Sequence, residues 1–149
     1  MLFRSVTLGA GYLAAARLLL ARPPVSFAFN QVTIDCDDPA VSAAFYRALG
    51  LKQIVDSPTN GYARFEAPNG STLSLHRGGP ASEAVVIYFE HPALDAWCAS
   101  LASQGLAFDQ MPRDESWGWR EARLRDPFGN RICLYWAGPY RRFPPWRLQ

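Results

Sequence analysis

The sequence predicts an α+β fold: two βαβββ repeats forming a curved, partly closed mixed sheet with helices outside. Three observations carry this expectation. The segment Ala63 to Leu75 matches Ala122 to Leu134 at a constant offset of 59, with five of thirteen positions identical. Upstream, Pro39-Ala40-Val41-Ser42-Ala43 matches Pro92-Ala93-Leu94-Asp95-Ala96 at an offset of 53. Finally, the chain has 149 residues and is 49% apolar, which suits one compact domain holding both copies and leaves no room for a second full one.

Taken in order, Phe29 to Cys36 alternates apolar and polar residues as a half-buried strand does. A helix follows, opened by Asp38 as a capping carboxylate and by Pro39, whose missing N–H costs nothing at the first helical position. Val41, Phe45 and Leu49 recur at near-helical spacing, and Gly50 ends the helix. Ala63 to Leu75 then reads as strand, tight Pro-x-Gly turn and strand. The second copy repeats the order: a strand at Val85 to Glu90, a helix from Pro92 with Leu94, Trp97 or Cys98, and Leu101 inward, a stop at Gly105, and a hairpin around Pro127 and Gly129. It carries six extra residues between helix and hairpin. One helix on one face of four strands leaves the other face bare, so the two copies are expected to combine around a concave hollow.

Strand alternation then assigns faces. Val32, Ile34 and Cys36 should lie under a helix, leaving Gln31, Thr33 and Asp35 on the concave side. The same rule turns Ser74 and His76, Val86 and Tyr88, and Cys133 and Tyr135 inward, together with Arg64, Glu121 and Arg123.

The paired βαβββ module resembles the vicinal oxygen chelate superfamily. The resemblance rests on the strand Asn30-Gln31-Val32-Thr33-Ile34, the helix Ala43 to Leu51 and the turn Asp126-Pro127-Phe128-Gly129-Asn130. That group includes glyoxalase I, bleomycin-resistance proteins, fosfomycin-resistance enzymes and extradiol dioxygenases. The resemblance covers residues 27–137, with repeats at about 27–77 and 83–137. It implies the fold, and a pocket for a small molecule, but it does not single out a reaction.

Metal-binding members of the group place ligands on the first, fourth, fifth and eighth strands. Carried over, Gln31 fits the first position, whereas the others fall on Ser74, on Val86 or Ala84, and on Cys133. Three of four ligand positions are lost, because a divalent ion needs several oxygen or imidazole donors. A displaced site would have to draw on Gln31, His76, Glu121 and Cys133, so no cofactor is assigned and a divalent metal stays an open alternative. For a lyase-type or related enzyme with a degenerate metal site, His76 and Glu121 are the expected catalytic proton carriers. Gln31, Thr33, Arg64, Ser74, Tyr88, Arg123, Cys133 and Tyr135 are the expected substrate contacts. Arg64 and Arg123 occupy equivalent places, and either clamp an anionic metabolite or simply pair with Glu66 and Glu121. The alternative function is a metal-free protein that binds or sequesters a drug or toxin, using its tryptophans to stack on a flat ligand.

Charge placement narrows the partners. The net charge of +2 conceals six arginines near the termini, and the stretch between them holds all 13 acids against 9 bases. Nucleic acid is therefore not an expected partner. Three separated cysteines suggest neither a disulfide framework nor a zinc knuckle and point to a reducing compartment, so the expected location is the cytoplasm. Residues 1–26 are acid-free and hold three arginines, of which Arg17 interrupts an apolar run too short to span a bilayer cleanly. They are set aside as a targeting-like or extraneous extension, which leaves export open. Residues 138–149 form a Pro/Arg/aromatic tail expected to lie extended over its own domain or a partner subunit. The remaining expectations are a homodimer and no stable membrane insertion.

Overall fold

A computed structural model of the protein describes residues 28–148. Among them are eight strands and two α-helices: β1 (Gln31–Cys36), α1 (Pro39–Ala48), β2 (Lys52–Ser57), β3 (Tyr62–Glu66), β4 (Thr72–Arg77), β5 (Val86–Glu90), α2 (Leu94–Ser103), β6 (Phe108–Asp114), β7 (Arg120–Arg125) and β8 (Arg131–Trp136). They build two four-stranded mixed sheets, ordered β1-β4-β3-β2 and β5-β8-β7-β6. In each sheet the first and last strands of the repeat run parallel side by side and the rest pair antiparallel. The expectations about residues 1–26 fall outside the described residues.

The local signals act as their chemistry requires. Asp38 caps α1, its Oδ1 accepting from the Ala40 N–H at 2.9 Å, with Pro39 in the first turn. Both helices end in the same way. Gly50 and Gly105 sit at φ of +99° and +96°, and the N–H groups of Leu51 and Leu106 reach back to the carbonyls of Tyr46 and Leu101 at 3.1 Å. That six-to-one closure needs a left-handed residue, which glycine supplies without strain.

Four expectations are corrected. The second helix begins at Leu94, not Pro92, and no side chain caps it. The β1–β4 and β5–β8 registers make Gln31 equivalent to Val86, an offset of 55, so the second repeat is longer by 59 − 55 = 4 residues beyond its first strand rather than by six. On α1, Val41 is 61% exposed. The buried stripe runs instead through Ser42, Ala43, Tyr46 and Leu49, because Tyr46 reaches across to the other repeat. The tail is not extended either: a short 3-10 turn at Gly138–Arg141 is followed by a turn in which the Arg147 N–H bonds to the Pro144 carbonyl. Its prolines block a helix but favour turns.

One hydrophobic core joins the repeats. It includes Ile34, Cys36, Tyr46, Phe65 and Leu75 from the first, and Leu94, Cys98, Leu101, Leu124 and Leu134 from the second. This core lies on the helix side of both sheets, as strand alternation required. A second, smaller cluster of Cys133, Tyr135 and Ala137, with Val86 and Trp119 packed on it, lies on the opposite face of β5 and β8.

Candidate functional site

Strand register defines the inner face of each sheet, because residues directly opposite one another share a face. In the first repeat Thr33 lies opposite Ser74 and Ser74 opposite Arg64, flanked by Gln31 with Thr72 and by Asp35, His76 and Tyr62. In the second, Tyr88 lies opposite Cys133 and Cys133 opposite Arg123, flanked by Glu90, Tyr135 and Glu121. Each repeat thus presents its expected site residues on one surface. Arg64 and Arg123 are equivalent positions, as are Ser74 and Cys133, and His76 and Tyr135.

The first inner face is a hydrogen-bonded network around a fully buried Ser74. Its Oγ lies 2.8 Å from the Tyr62 hydroxyl, 3.3 Å from Arg64 Nε and 3.4 Å from Gln31 Nε2. Arg64 Nε also donates to the Tyr62 hydroxyl at 2.7 Å, and Thr72 Oγ1 donates to Gln31 Oε1 at 3.2 Å. His76 is exposed, its Nδ1 3.8 Å from Asp35 Oδ1, and Thr33 is exposed beside it. Tyr62 did not enter the sequence reading. Its position two residues before Arg64 on the same strand was the signal that could have found it.

The second inner face is built differently. Glu121 is only 2% exposed, and both of its oxygens are engaged: Trp117 Nε1 donates to Oε1 at 2.9 Å and Arg123 Nη2 to Oε2 at 3.0 Å. Arg123 also approaches Glu115 at 4.0 Å, so its charge is compensated within the repeat. Burial, then the neighbouring Glu121 carboxylate, pushes the Cys133 thiol up to about 12, which leaves it protonated and inert near neutrality. Beside it Trp119 stacks on Tyr135 at 4.8 Å between centroids, and Tyr88 stands edge-on to both rings. Tyr135 is raised to about 12 by burial and by Glu90. The Glu90 carboxylate anchors the tail through the Ala137 and Gly138 N–H groups and Arg141.

Among the described residues no hydrogen bond or ion pair connects these two inner-face groups, so His76 and Glu121 are not joined to one another, nor is Arg64 to Arg123. A groove of about 830 Å³ is bounded by Gln31, Thr72, Tyr88, Tyr135 and the apolar Leu51 and Trp97, and a smaller one of about 340 Å³ by Trp119, Trp136 and Tyr140.

The four carried-over metal positions do not fit an ion. Val86 has no donor atom, the Cys133 thiol holds its proton, and Gln31 and Ser74 provide neutral oxygen or amide groups already bonded to each other. Among the described residues no three His, Cys, Asp or Glu side chains converge.

Fold and inner faces together define a paired βαβββ protein with polar and aromatic groups where metal ligands would stand in its metal-binding relatives. The chain belongs to the Glyoxalase/Bleomycin resistance protein/Dioxygenase superfamily, whose sequence model matches residues 28–134. A glyoxalase/bleomycin resistance protein/dioxygenase from Nocardioides is 21% identical, with a TM-score of 0.68 over 95% of this chain and 100% of that one. A superfamily member from Sphaerobacter thermophilus DSM 20745 is 21% identical, with a TM-score of 0.63 over 74% of this chain and 97% of that one. A third, described as a glyoxalase family protein from Bacillus anthracis, is 17% identical, with a TM-score of 0.64 over 78% of this chain and 100% of that one. At these identities the likeness concerns the fold alone. No curated protein matches the chain. Among the described residues, no helix is long and apolar enough to cross a membrane.

Proposed function

We propose that the protein is a metal-independent binder of a flat small molecule held against its inner faces. The carrying observation is the aromatic group on the second repeat: Trp119 stacked on Tyr135, with Tyr88 edge-on and 50% exposed. Such an array offers a rigid apolar surface at little entropic cost, and each aromatic contact adds about 0.5–1.5 kcal/mol beyond area burial. Nearby, Glu121 and Arg123 neutralise each other, which leaves this surface without net charge. Tryptophan fluorescence titrated with neutral flat heterocycles tests the reading. Quenching that saturates, and that is lost in Trp119→Leu, is expected; an unchanged spectrum across the panel removes it.

A lyase-type activity is the second reading. His76 favours it, standing 3.8 Å from Asp35 on the same face as Gln31 and Ser74, where an exposed imidazole and carboxylate can pass a proton. Loss of turnover in His76→Gln with binding retained would support it over pure binding. A homodimer in the cytoplasm completes the proposal. The exposed Phe143, Trp146 and Leu148 of the tail support the dimer, which sedimentation of the full chain tests.

A further inference from the structure

The hydrogen bonds of the first inner face leave mainly donors unspent. A serine hydroxyl has one proton and two lone pairs. Ser74 is fully buried, Gln31 Nε2 and the single Arg64 N–H at Nε approach its Oγ only as donors, and the Tyr62 oxygen 2.8 Å away is the acceptor in reach of its proton, which favours donation from Ser74 to Tyr62. The Tyr62 oxygen then accepts from Ser74 and takes the nearer share of the one Arg64 Nε hydrogen, at 2.7 Å against 3.3 Å to Ser74, which leaves its own O–H as a donor. Gln31 uses its carbonyl oxygen on Thr72 and one amide hydrogen on Ser74, leaving the second hydrogen. Arg64 commits only Nε. Among the described residues neither of its terminal nitrogens has a hydrogen-bond partner and no carboxylate pairs with its charge, unlike Arg123 at the equivalent place. Apart from the second lone pair of Gln31 Oε1, every unspent group of the trio is a donor, one of them carries a full positive charge, and all three side chains are keyed to the same buried hydroxyl.

From this donor-rich, positively charged remainder we infer that the first repeat is an oxyanion-binding site, in which Arg64, Tyr62 and Gln31 receive a carboxylate or phosphoryl group carried by a small molecule. The guanidinium edge is planar and its two terminal nitrogens match two oxygens of such a group side by side. Fixing Nε against Tyr62 and Ser74 orients that edge before the ligand arrives, which lowers the ordering cost of binding. The inference rests on the binding reading above and names the chemical class of its ligand.

The test titrates the full chain with benzoate, phenylphosphonate and the neutral isostere benzamide, followed by calorimetry and by chemical-shift changes. Benzoate or phenylphosphonate is expected to bind at least about tenfold more tightly than benzamide, as charge-assisted hydrogen bonds require. Whichever of the two anions binds better identifies carboxylate or phosphoryl as the source. Arg64→Gln should abolish that preference, Arg64→Lys should restore part of it, and Tyr62→Phe should weaken it severalfold. Arg77→Gln at the exposed end of β4, of equal charge change, should leave it intact. Because Arg64 is only half-buried, the folded state of each variant is readily confirmed by circular dichroism. Equal affinity for benzoate and benzamide, no binding of either anion, or a preference surviving in Arg64→Gln overturns the inference. If neutral heterocycles still quench Trp119 under those outcomes, the binding reading stands and only the oxyanion site falls; if nothing quenches, the binding reading falls with it.

Discussion

The phenol oxygen of Tyr46 lies 2.7 Å from Oδ2 of Asp126, a hydrogen bond between the helix of one repeat and the hairpin turn of the other, 80 residues apart and fully buried. Asp126 also accepts from the Phe128 and Asn130 N–H groups and the Asn130 side chain, and the Asn130 amide reaches on to the Asp35 carbonyl of β1. The equivalent positions in the other direction are Leu101 and Ala67, which are apolar. One end of the junction between repeats is therefore locked by polar groups, and the large groove opens at the end where that lock is missing.

Tyr46→Phe should lower unfolding free energy by about 1–3 kcal/mol, because it removes a donor from a buried carboxylate while keeping the ring in the core. Asp126→Ala should cost more, since it strips the turn of three further bonds. Urea denaturation of the two single variants and the double variant measures this. A double variant whose loss equals the sum of the singles would show the pair to be uncoupled.

Glu121 gives a second test of buried charge. Arg123→Ala leaves the carboxylate inside with only the Trp117 indole as partner, whereas Glu121→Gln keeps an acceptor for that indole and removes the charge. Arg123→Ala is expected to be the more destabilising by about 1–2 kcal/mol, discounted for the partial exposure of the arginine. Equal melting temperatures for the two variants would contradict this electrostatic account.

How much of this was legible in the sequence follows from the range of each signal. The repeat, the hairpin turns and the inner faces are short-range patterns, and Val32, Ile34 and Cys36 fall on the helix side where alternation put them. The start of α2 was misplaced because Pro92 imitates Pro39 in sequence, while only Asp38 supplies a capping side chain; His91 stands in the matching place and bonds to the Ala93 N–H instead. Val41 looked inward because periodicity alone cannot tell which stripe faces a partner. The Tyr46–Asp126 bond and the Tyr62–Ser74–Arg64 network depend on packing between elements, which no local pattern encodes.

The three cysteines provide a pH prediction. Burial raises the Cys36 and Cys98 thiols to about 11 and Cys133 to about 12, from an ordinary value of 9.0. A raised thiol contributes stability that is complete below its unfolded value and is lost as pH climbs toward the folded one. The melting temperature should accordingly fall between about pH 9 and pH 12 and not below pH 8. At pH 8 native protein should react with Ellman's reagent far more slowly than urea-unfolded protein. A stoichiometric fast reaction of one native thiol would show that one of the three is exposed and activated.

The last prediction concerns metal. An ion bound only to the folded state raises its stability by RT ln(1 + [L]/Kd), so a real site gives about 2.7 kcal/mol at a hundredfold excess over Kd, easily seen as a thermal shift. With Val86 and a protonated Cys133 at two family ligand positions, and Gln31 tied to Ser74, the chain should show no such shift with Ni, Mn, Zn or Fe(II) and should retain less than stoichiometric metal after dialysis. The informative variant restores donors at the carried-over family positions: Val86→His with Ser74→Glu and Cys133→Glu adds oxygen and imidazole groups to the one donor position already present, Gln31. If the lost donors alone account for the missing affinity, this triple variant gains a metal-dependent shift that the parent lacks. A parent protein that binds one ion per chain would instead mean that ligands outside this face hold it, and the metal-independent reading would have to be abandoned.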